Sequence, residues 1–220
     1  MKYVDKLAKN IKNEEFVPRY RKFVGRHVEW DRLGESYLDL LRSLGLRPTD
    51  KYLDVACGCL RSGRFLIKYL DNGNYYGMDH HRWLIEAGKK YEVDDLKGSH
   101  FTVSKNFDFS EFGDVKFDFI WLGSLVIHLD PCDIKQCLEN LKSYIKDNGV
   151  LYMTVKFNSI GEKRVNPLVS QPKTMFHYDL DEIKEFASGW TVEHSAELHN
   201  LYKEYLPFSI QTMVKLIRNR

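Results

Sequence analysis

An alternation of short apolar runs with longer segments of helical periodicity begins near Lys51, and it constrains the fold more than any other feature. A helix between two strands carries the chain back across one face of a sheet, so this pattern is typical of parallel sheets. The expected strands are residues 52–56, 75–78, 101–103, 117–122, 150–157, 191–194 and 210–217. We therefore expect an α/β fold with a seven-stranded, mostly parallel sheet and helices on both faces.

The segments between these strands have helical periodicity. The expected helices are 62–70, 81–91, 131–146 and one that ends near Gly189. The third is predicted to start at Asp130, an N-cap followed by proline, and to stop at Gly149 in a left-handed turn. Asp179 and Glu182 have the spacing of a capping box, which predicts the start of the fourth helix. Residues 158–173, with two prolines, are expected to form a long loop.

The first 47 residues precede the sheet pattern and contain helix-compatible stretches at 6–13 and 35–44. No linker-like composition separates them from the rest, and 220 residues fit one large domain. We expect an N-terminal helical cap over residues 1–47, packed on a core over 48–220 in one structural domain.

The composition argues against several classes of protein. The 33 Lys and Arg residues nearly balance the 31 Asp and Glu residues, and the net charge of +2 gives no overall field to hold a nucleic acid. The longest uncharged apolar runs, such as 119–129, are far shorter than the ~20 residues that span a bilayer. The N-terminal sequence lacks the apolar stretch of a signal peptide, so we expect a cytoplasmic protein that binds neither membrane nor nucleic acid.

The cysteines give no sign of a metal site. Cys57 and Cys59 form one pair and Cys132 and Cys137 another, and neither pair has the two-residue spacing of structural zinc sites. The chain also shows no His-x3-His pair and no clustered carboxylates with ligand spacing. We expect reduced thiols and no bound metal.

Residues 52–63, with the sequence YLDVACGCLRSG, are expected to form a strand, a turn of small residues and the start of a helix. In open α/β sheets such a turn lies where ligands bind. A dinucleotide site requires the Gly-x-Gly-x-x-Gly pattern, whereas here only Gly58 and Gly63 are glycine. The acid Asp54 disfavours phosphate but suits a cationic amino group.

Asp79 ends the second expected strand, 25 residues after Asp54. This offset is close to the ~20 residues expected for an acid that binds a ribose, because a carboxylate accepts hydrogen bonds from both ribose hydroxyls. The spacing indicates an adenosine-containing ligand. The alternative is that Asp79 caps the helix that begins near His81.

Four segments together resemble the class I S-adenosylmethionine-dependent methyltransferases. They are LDVACGCLRSG, YYGMD, FDFIWLGSLVIHL and KDNGVLYMTV, and the resemblance extends from about Leu46 to Leu216. It implies a Rossmann-like fold, S-adenosylmethionine as cofactor and S-adenosylhomocysteine as product. The first segment departs from the family, because Ala56 and Leu60 stand where two glycines are usual. Leucine at the second of these positions suggests that the loop turns differently.

The resemblance also implies roles for individual residues. Expected around the cofactor are Asp54, Ala56 and Gly58 by its methionine portion, Asp79 at the ribose, and His80, Asn106 and Phe107 at the adenine. Arg61 is expected to contact the cofactor as well, Leu122 to lie under it, and Tyr20 and Trp30 to close over the adenosine. Asp108 is the alternative to Asn106 at the adenine. The sequence LGSL at 122–125 differs from the Asn/Asp-Pro-Pro-Tyr of amino-methylating relatives, which argues against methylation of adenine N6 or glutamine.

A hydroxyl acceptor requires a base, and His128 lies on the expected acceptor side. The alternative is that His128 only packs at a turn, and the lesser candidates are His27, His80, His81 and His177. The basic segment 19–30, with Arg61, Arg64 and Arg82, suits an anionic acceptor such as a phosphorylated or nucleotide-linked sugar, or else is an ordinary solvated surface. We expect O-methylation of a small molecule. A catalytically silent binding subunit and an RNA methyltransferase are the alternatives.

Overall fold

The computed structural model describes residues 18–24, 29–159, 166–167, 169–170 and 174–219. The strands are β1 (Tyr52–Val55), β2 (Tyr75–Asp79), β3 (His100–Val103), β4 (Phe117–Leu122), β5 (Ile145–Val155), β6 (Trp190–Glu193) and β7 (Thr212–Arg218). The helices are α1 (Arg19–Phe23), α2 (Trp30–Ser43), α3 (Gly63–Tyr69), α4 (Arg82–Tyr91), α5 (Pro131–Leu141), α6 (Leu180–Phe186) and α7 (Ala196–Tyr205), with 3-10 turns at Ser110–Phe112 and Val126–His128. None of these helices combines the length and the apolar character needed to cross a membrane.

The seven described strands form one sheet in the order β3-β2-β1-β4-β5-β7-β6. Among them, β7 runs antiparallel to both of its neighbours, and the other pairings are parallel. Every residue of the central strand β1 is buried, because helices cover both faces. The predicted α/β, seven-stranded and mostly parallel fold is confirmed.

Alternate side chains of β1 enter two separate cores. Tyr52 packs with Leu40 and Leu66, on the face that α2, α3 and α7 cover. Leu53 packs with Ile134 and Ile183, on the face that α5 and α6 cover. The two-residue period of a strand thus assigns its neighbours to opposite layers, and the carboxyl ends of the strands remain at one open edge.

The sequence prediction was wrong where α5 meets β5. The helix was expected to continue to residue 146, but it ends at Leu141, and β5 begins at Ile145 rather than at 150. Ile145 is buried and pairs with Phe117, after which the register shifts. Gly149 does not have a positive φ. A Cβ there would lie 2.8 Å from the carbonyl oxygen of Phe117, so this glycine allows close strand packing instead of ending a helix.

Other predicted boundaries are confirmed. Asp130 caps α5 by accepting hydrogen bonds from the amides of Cys132 and Asp133. The capping box of Asp179 and Glu182 is present at the start of α6. Helix α7 was not predicted. The expected helix at 6–13 and much of the expected loop at 158–173 lie outside the described residues.

A buried carboxylate holds the N-terminal segment against the core. Glu92, at the end of α4, accepts hydrogen bonds from the Tyr20 hydroxyl at 2.8 Å and the Trp30 indole at 3.0 Å. It also accepts from the Arg21 guanidinium at 2.6 Å and from Arg64 at 3.4 Å. These contacts place α1 and the start of α2 beside the carboxyl ends of β1 and β2.

Candidate active site

A cavity of about 1020 Å³ opens at the carboxyl ends of the parallel strands. Its walls come from the loops after β1, β2, β3 and β4, from the N-terminal segment, and from residues 205–211 before β7. Typical ligand pockets measure about 300–1,000 Å³. This cavity is therefore large enough for a nucleoside cofactor together with a second small molecule.

The loop after β1 has an alternating left-handed backbone. The φ angles of Ala56, Gly58 and Leu60 are 70°, 56° and 63°. Alanine and leucine therefore adopt here a backbone conformation that glycine adopts most readily. The buried Leu60 side chain fits because Gly63 and Gly88 leave it room, since a Cβ at either position would lie within 2.9 Å of Leu60.

Asp79 faces the cavity and also organises its wall. One carboxylate oxygen accepts from the Gly58 amide at 2.9 Å, and the other accepts from the His81 amide at 2.7 Å. The carboxylate thus joins the loop after β1 to the start of α4. The bond to His81 is made to the residue that precedes α4, and Asp79 lines the cavity, so its position is compatible with a ligand contact.

Asp54 also lines the cavity, at the end of β1. It is 4% exposed and accepts a hydrogen bond from the Tyr75 hydroxyl at 2.9 Å. Burial raises the pKa of the Asp54 carboxyl to about 7, although the bond from Tyr75 opposes this shift. A cationic group beside Asp54 would restore its charge near neutral pH.

In the loop after β3, one of the two residues expected at the adenine lines the cavity. Phe107 lines the cavity with a φ of 56°, and its carbonyl oxygen accepts from the Asn140 amide at 2.8 Å. Asn106 and Asp108 are exposed, and the described lining includes neither. Asp108 accepts from the Ser110 amide at 2.9 Å.

His80 lines the cavity on the same side, and burial lowers the pKa of its imidazole. Its neighbour His81 also lines this wall. The role of His80 beside the adenine stays a prediction.

Three expected cofactor contacts lie behind the wall instead of on it. Leu122 is 1% exposed and belongs to the core. The side chains of Tyr20 and Trp30 bind Glu92. Arg61 does line the cavity, with its guanidinium 5.3 Å from the ring of Trp30.

The described part of the N-terminal segment covers the loop after β1. A Cβ on Gly58 would lie 3.1 Å from Cγ1 of Val24, so glycine allows this close cover. Phe23 packs edge-on against His81, with ring centroids 5.1 Å apart. His27 and Arg26 lie outside the described residues.

His128 is half-buried and lines the cavity. Its Nδ1 is 3.2 Å from the carbonyl oxygen of Thr174. A carbonyl only accepts hydrogen bonds, so Nδ1 carries the proton and Nε2 of the neutral ring has a free electron pair. His177 is buried, donates its backbone amide to Asn166, and is not among the described lining residues.

Sequence reasoning missed a polar group at the end of β4. The Ser124 amide donates to the Thr154 hydroxyl at 2.7 Å, and that hydroxyl donates to Oε1 of Gln211 at 2.6 Å. Nε2 of Gln211 then donates to the Ser124 hydroxyl at 3.0 Å. No local pattern could have indicated this group, because its members come from three different strand ends.

Within the described ranges, no three His, Cys, Asp or Glu side chains are arranged to hold a metal ion. Asp54, Asp79 and His128 instead surround one organic-ligand cavity. This donor set fits the expected cofactor, because the two carboxylates suit an amino group and a ribose.

Residues 53–151 match the family model described as Methyltransferase domain. The DhpI–SAH complex is 15% identical, with a TM-score of 0.61, and the match covers 91% of this chain and 92% of that one. Magnesium protoporphyrin IX methyltransferase (ChlM) from Synechocystis PCC 6803 with bound SAM is 14% identical, with a TM-score of 0.60 and coverage of 98% and 91%. A TehB-like SAM-dependent methyltransferase from Corynebacterium glutamicum is 20% identical, with a TM-score of 0.59 and coverage of 84% and 88%.

At these identities the structural similarities show the fold, and the family match covers the first five strands of the sheet almost completely. The two findings agree with the cavity, which lies where ligands bind in open α/β sheets. The chain carries a methyltransferase domain with the Rossmann-like fold of the class I S-adenosylmethionine-dependent methyltransferases.

Proposed function

We propose that this methyltransferase binds S-adenosylmethionine in the cavity and methylates a small molecule at oxygen, with His128 as the general base. The observation that carries the proposal is the bond between Nδ1 of His128 and the Thr174 carbonyl, on a wall of the cavity that also holds Asp54 and Asp79. Two of the similar structures contain bound SAM or SAH, and one of them is a magnesium protoporphyrin methyltransferase.

The residues of the cavity divide into groups by chemistry. Asp79 would accept from the ribose hydroxyls, and Asp54 would bind the amino group of the methionine portion. His80 and Phe107 would lie against the adenine. When bound, S-adenosylmethionine supplies a methyl group on a sulfonium. The chain has to align the acceptor with that methyl group and exclude water.

His128 provides the proton acceptor. Because Thr174 fixes the proton on Nδ1, Nε2 can accept the proton of an acceptor hydroxyl as its oxygen becomes nucleophilic. His128→Ala should therefore lower the turnover rate about 10²- to 10⁴-fold and leave the affinity for S-adenosylhomocysteine nearly unchanged.

The test uses S-adenosylmethionine with a labelled methyl group and a cell extract as the acceptor source, which is separated after the reaction into a metabolite fraction and an RNA fraction. Transfer should be detected as a mass gain of one methyl group. His100→Ala is the matched control, because His100 is exposed at the sheet edge and outside the described lining of the cavity. Equal rates for His128→Ala and His100→Ala would return His128 to a packing role.

The alternative functions predict other results. A silent binding subunit would bind S-adenosylhomocysteine but transfer no methyl group to any extract fraction. An RNA methyltransferase would label the RNA fraction. The small-molecule proposal requires label in the metabolite fraction.

The arginines that suggested an anionic acceptor are partly neutralised by carboxylates. Of the arginines that suggested it, Arg21 is bound by Glu92, and Arg64 is bound by Asp31 and Glu92. Arg32, on the cavity wall, pairs with Glu29 at 2.7 Å. These pairings reduce the positive charge offered to an acceptor.

A further inference from the structure

The large apolar side chains that remain exposed are concentrated at the cavity. Among the described residues they are Phe23 (41%), Val169 (60%), Phe208 (65%) and Ile210 (58%), and all four line it. Exposed apolar surface at the opening of a ligand cavity favours a ligand with apolar surface of its own.

Two of these side chains lie on a segment that helix α7 holds in place. The Ser209 hydroxyl is 2.8 Å from the Tyr202 hydroxyl, and it accepts the Gln211 amide at 3.2 Å. Lys203 also donates to the Ser209 carbonyl. The fold therefore presents Phe208 and Ile210, on either side of Ser209, to the cavity.

The hydrogen bonds among Ser124, Thr154 and Gln211, next to this segment, have defined donors and acceptors. The Thr154 proton is used on Oε1 of Gln211, so the Gln211 amide nitrogen is the donor to Ser124. Because the Ser124 oxygen accepts that bond, its own proton is left to donate. Ser124 lines the cavity, and it thus offers a single hydrogen-bond donor at the wall.

Among the described residues, two carboxylates lie beside the segment that carries Val169. The adjacent Ser170 donates its amide to Asp130 at 3.1 Å and its hydroxyl to Asp133. Both carboxylates also line the cavity. An anionic group bound here would be repelled, whereas an uncharged one would not.

We propose that the methyl acceptor is an uncharged molecule with an apolar body of ring size, which packs against Val169, Phe208 and Ile210, and with a hydrogen-bond-accepting group that binds the Ser124 hydroxyl. This inference rests on the proposed function, because it concerns the acceptor part of the same cavity. Gln211 and Thr154 are positioning residues that direct the Ser124 proton.

The test measures binding to the protein saturated with S-adenosylhomocysteine, by fluorescence titration with naphthalene, 2-naphthol and 2-naphthyl phosphate. These probes share one ring system and differ in their polar group and charge. 2-Naphthol should bind saturably and at least about 10-fold more tightly than the phosphate. Glucose 6-phosphate should not displace it.

Variants then locate the binding. Ile210→Asp should weaken 2-naphthol about 10-fold, whereas Ile210→Val, the matched control, should change the affinity less than about 2-fold. Ser124→Ala should weaken 2-naphthol about 5-fold and leave naphthalene unchanged, which a general loss of structure would not do.

The outcomes separate the two proposals. Failure of S-adenosylhomocysteine to bind would contradict the proposed function itself. If it binds but 2-naphthol does not, or if the phosphate or glucose 6-phosphate binds more tightly, the uncharged apolar acceptor is wrong. Equal affinity of 2-naphthol for Ile210→Asp and the unchanged protein would also overturn it.

Discussion

The protonation state of Asp54 links the candidate site to the stability of the folded protein. Burial raises its pKa from 3.8 to about 7, so the folded protein binds this proton more tightly than the unfolded chain does. A raised carboxyl pKa contributes stability below pH 4, and this contribution is lost as the pH rises to about 7. In the ligand-free protein below about pH 7, the neutral carboxyl of Asp54 is therefore favoured over the charged carboxylate.

We predict that Asp54→Asn removes this pH dependence, because asparagine does not titrate and its oxygen can still accept from Tyr75. Calorimetric melting of the ligand-free proteins is the measurement. The melting temperature of the variant minus that of the unchanged protein should be more positive at pH 8 than at pH 5. A difference that does not vary with pH would show that Asp54 does not titrate between pH 5 and pH 8, contrary to its raised pKa.

Asp79→Asn should weaken binding of S-adenosylhomocysteine by about 1.5–3 kcal/mol, because charge-assisted hydrogen bonds to the ribose are lost. The control is Asp95→Asn, since Asp95 accepts the amide two residues later, as Asp79 does, but lies outside the described lining. Titration calorimetry on both variants is the check. Equal affinities in the two folded variants would leave Asp79 only its role of joining the loop after β1 to the start of α4.

Sequence reasoning found the residues whose function depends on local spacing and missed those that depend on distant contacts. Asp54, Gly58 and Asp79 line the cavity because strand ends and the turns after them are encoded locally. Ser124 and Gln211 are 87 residues apart, and only the folded sheet brings them together. Tyr20 was expected to face the cofactor, but it binds the buried Glu92, 72 residues away, and no local pattern indicates that contact.

At the scale of elements, helix α5 and strand β5 show why a local stop signal misleads. Asp147, Asn148 and Gly149 are typical of a helix end, yet they lie inside a strand with an irregular register. Pairing of the buried Ile145 with Phe117 determines the strand start, and Lys146 binds Asp118 at 2.7 Å across the irregularity. Tertiary pairing outweighs turn propensity here.

The N-terminal segment is held against the core by Glu92 at the end of α4. Glu92→Gln leaves the donors of Tyr20, Arg21 and Trp30 without their carboxylate, and unpaired buried donors are destabilising. Trypsin should then cleave after Arg21 or Lys22 at least about 10-fold faster, with the sites identified by mass spectrometry.

The matched control is Glu86→Gln on the same helix. Glu86 is exposed and pairs only with Lys89 among the described ion pairs, at 3.3 Å. Its variant should be cleaved at the rate of the unchanged protein. If Glu92→Gln were cleaved no faster than Glu86→Gln, the segment would be held by its apolar contacts alone.

At the scale of the whole molecule, the alternation of strands and helices was enough to predict the sheet, because a buried parallel strand leaves its apolar run in the sequence. The antiparallel direction of β7 could not be predicted from the sequence, because a hydrophobic run does not encode the direction of its strand. The cavity belongs to this scale too, because seven strands must assemble before the loops that line it can meet.

The last prediction concerns the assembled molecule and its ligand. A ligand that binds only the folded state at 100 times its Kd stabilises that state by about 2.7 kcal/mol, which is about 5–10 °C in Tm for a chain of this size. S-adenosylhomocysteine should produce this shift equally with and without EDTA, because the cavity residues suited to it are carboxylates, aromatic rings and amides rather than a metal cluster within the described ranges. A shift that EDTA abolished and magnesium restored would require a metal in the binding site.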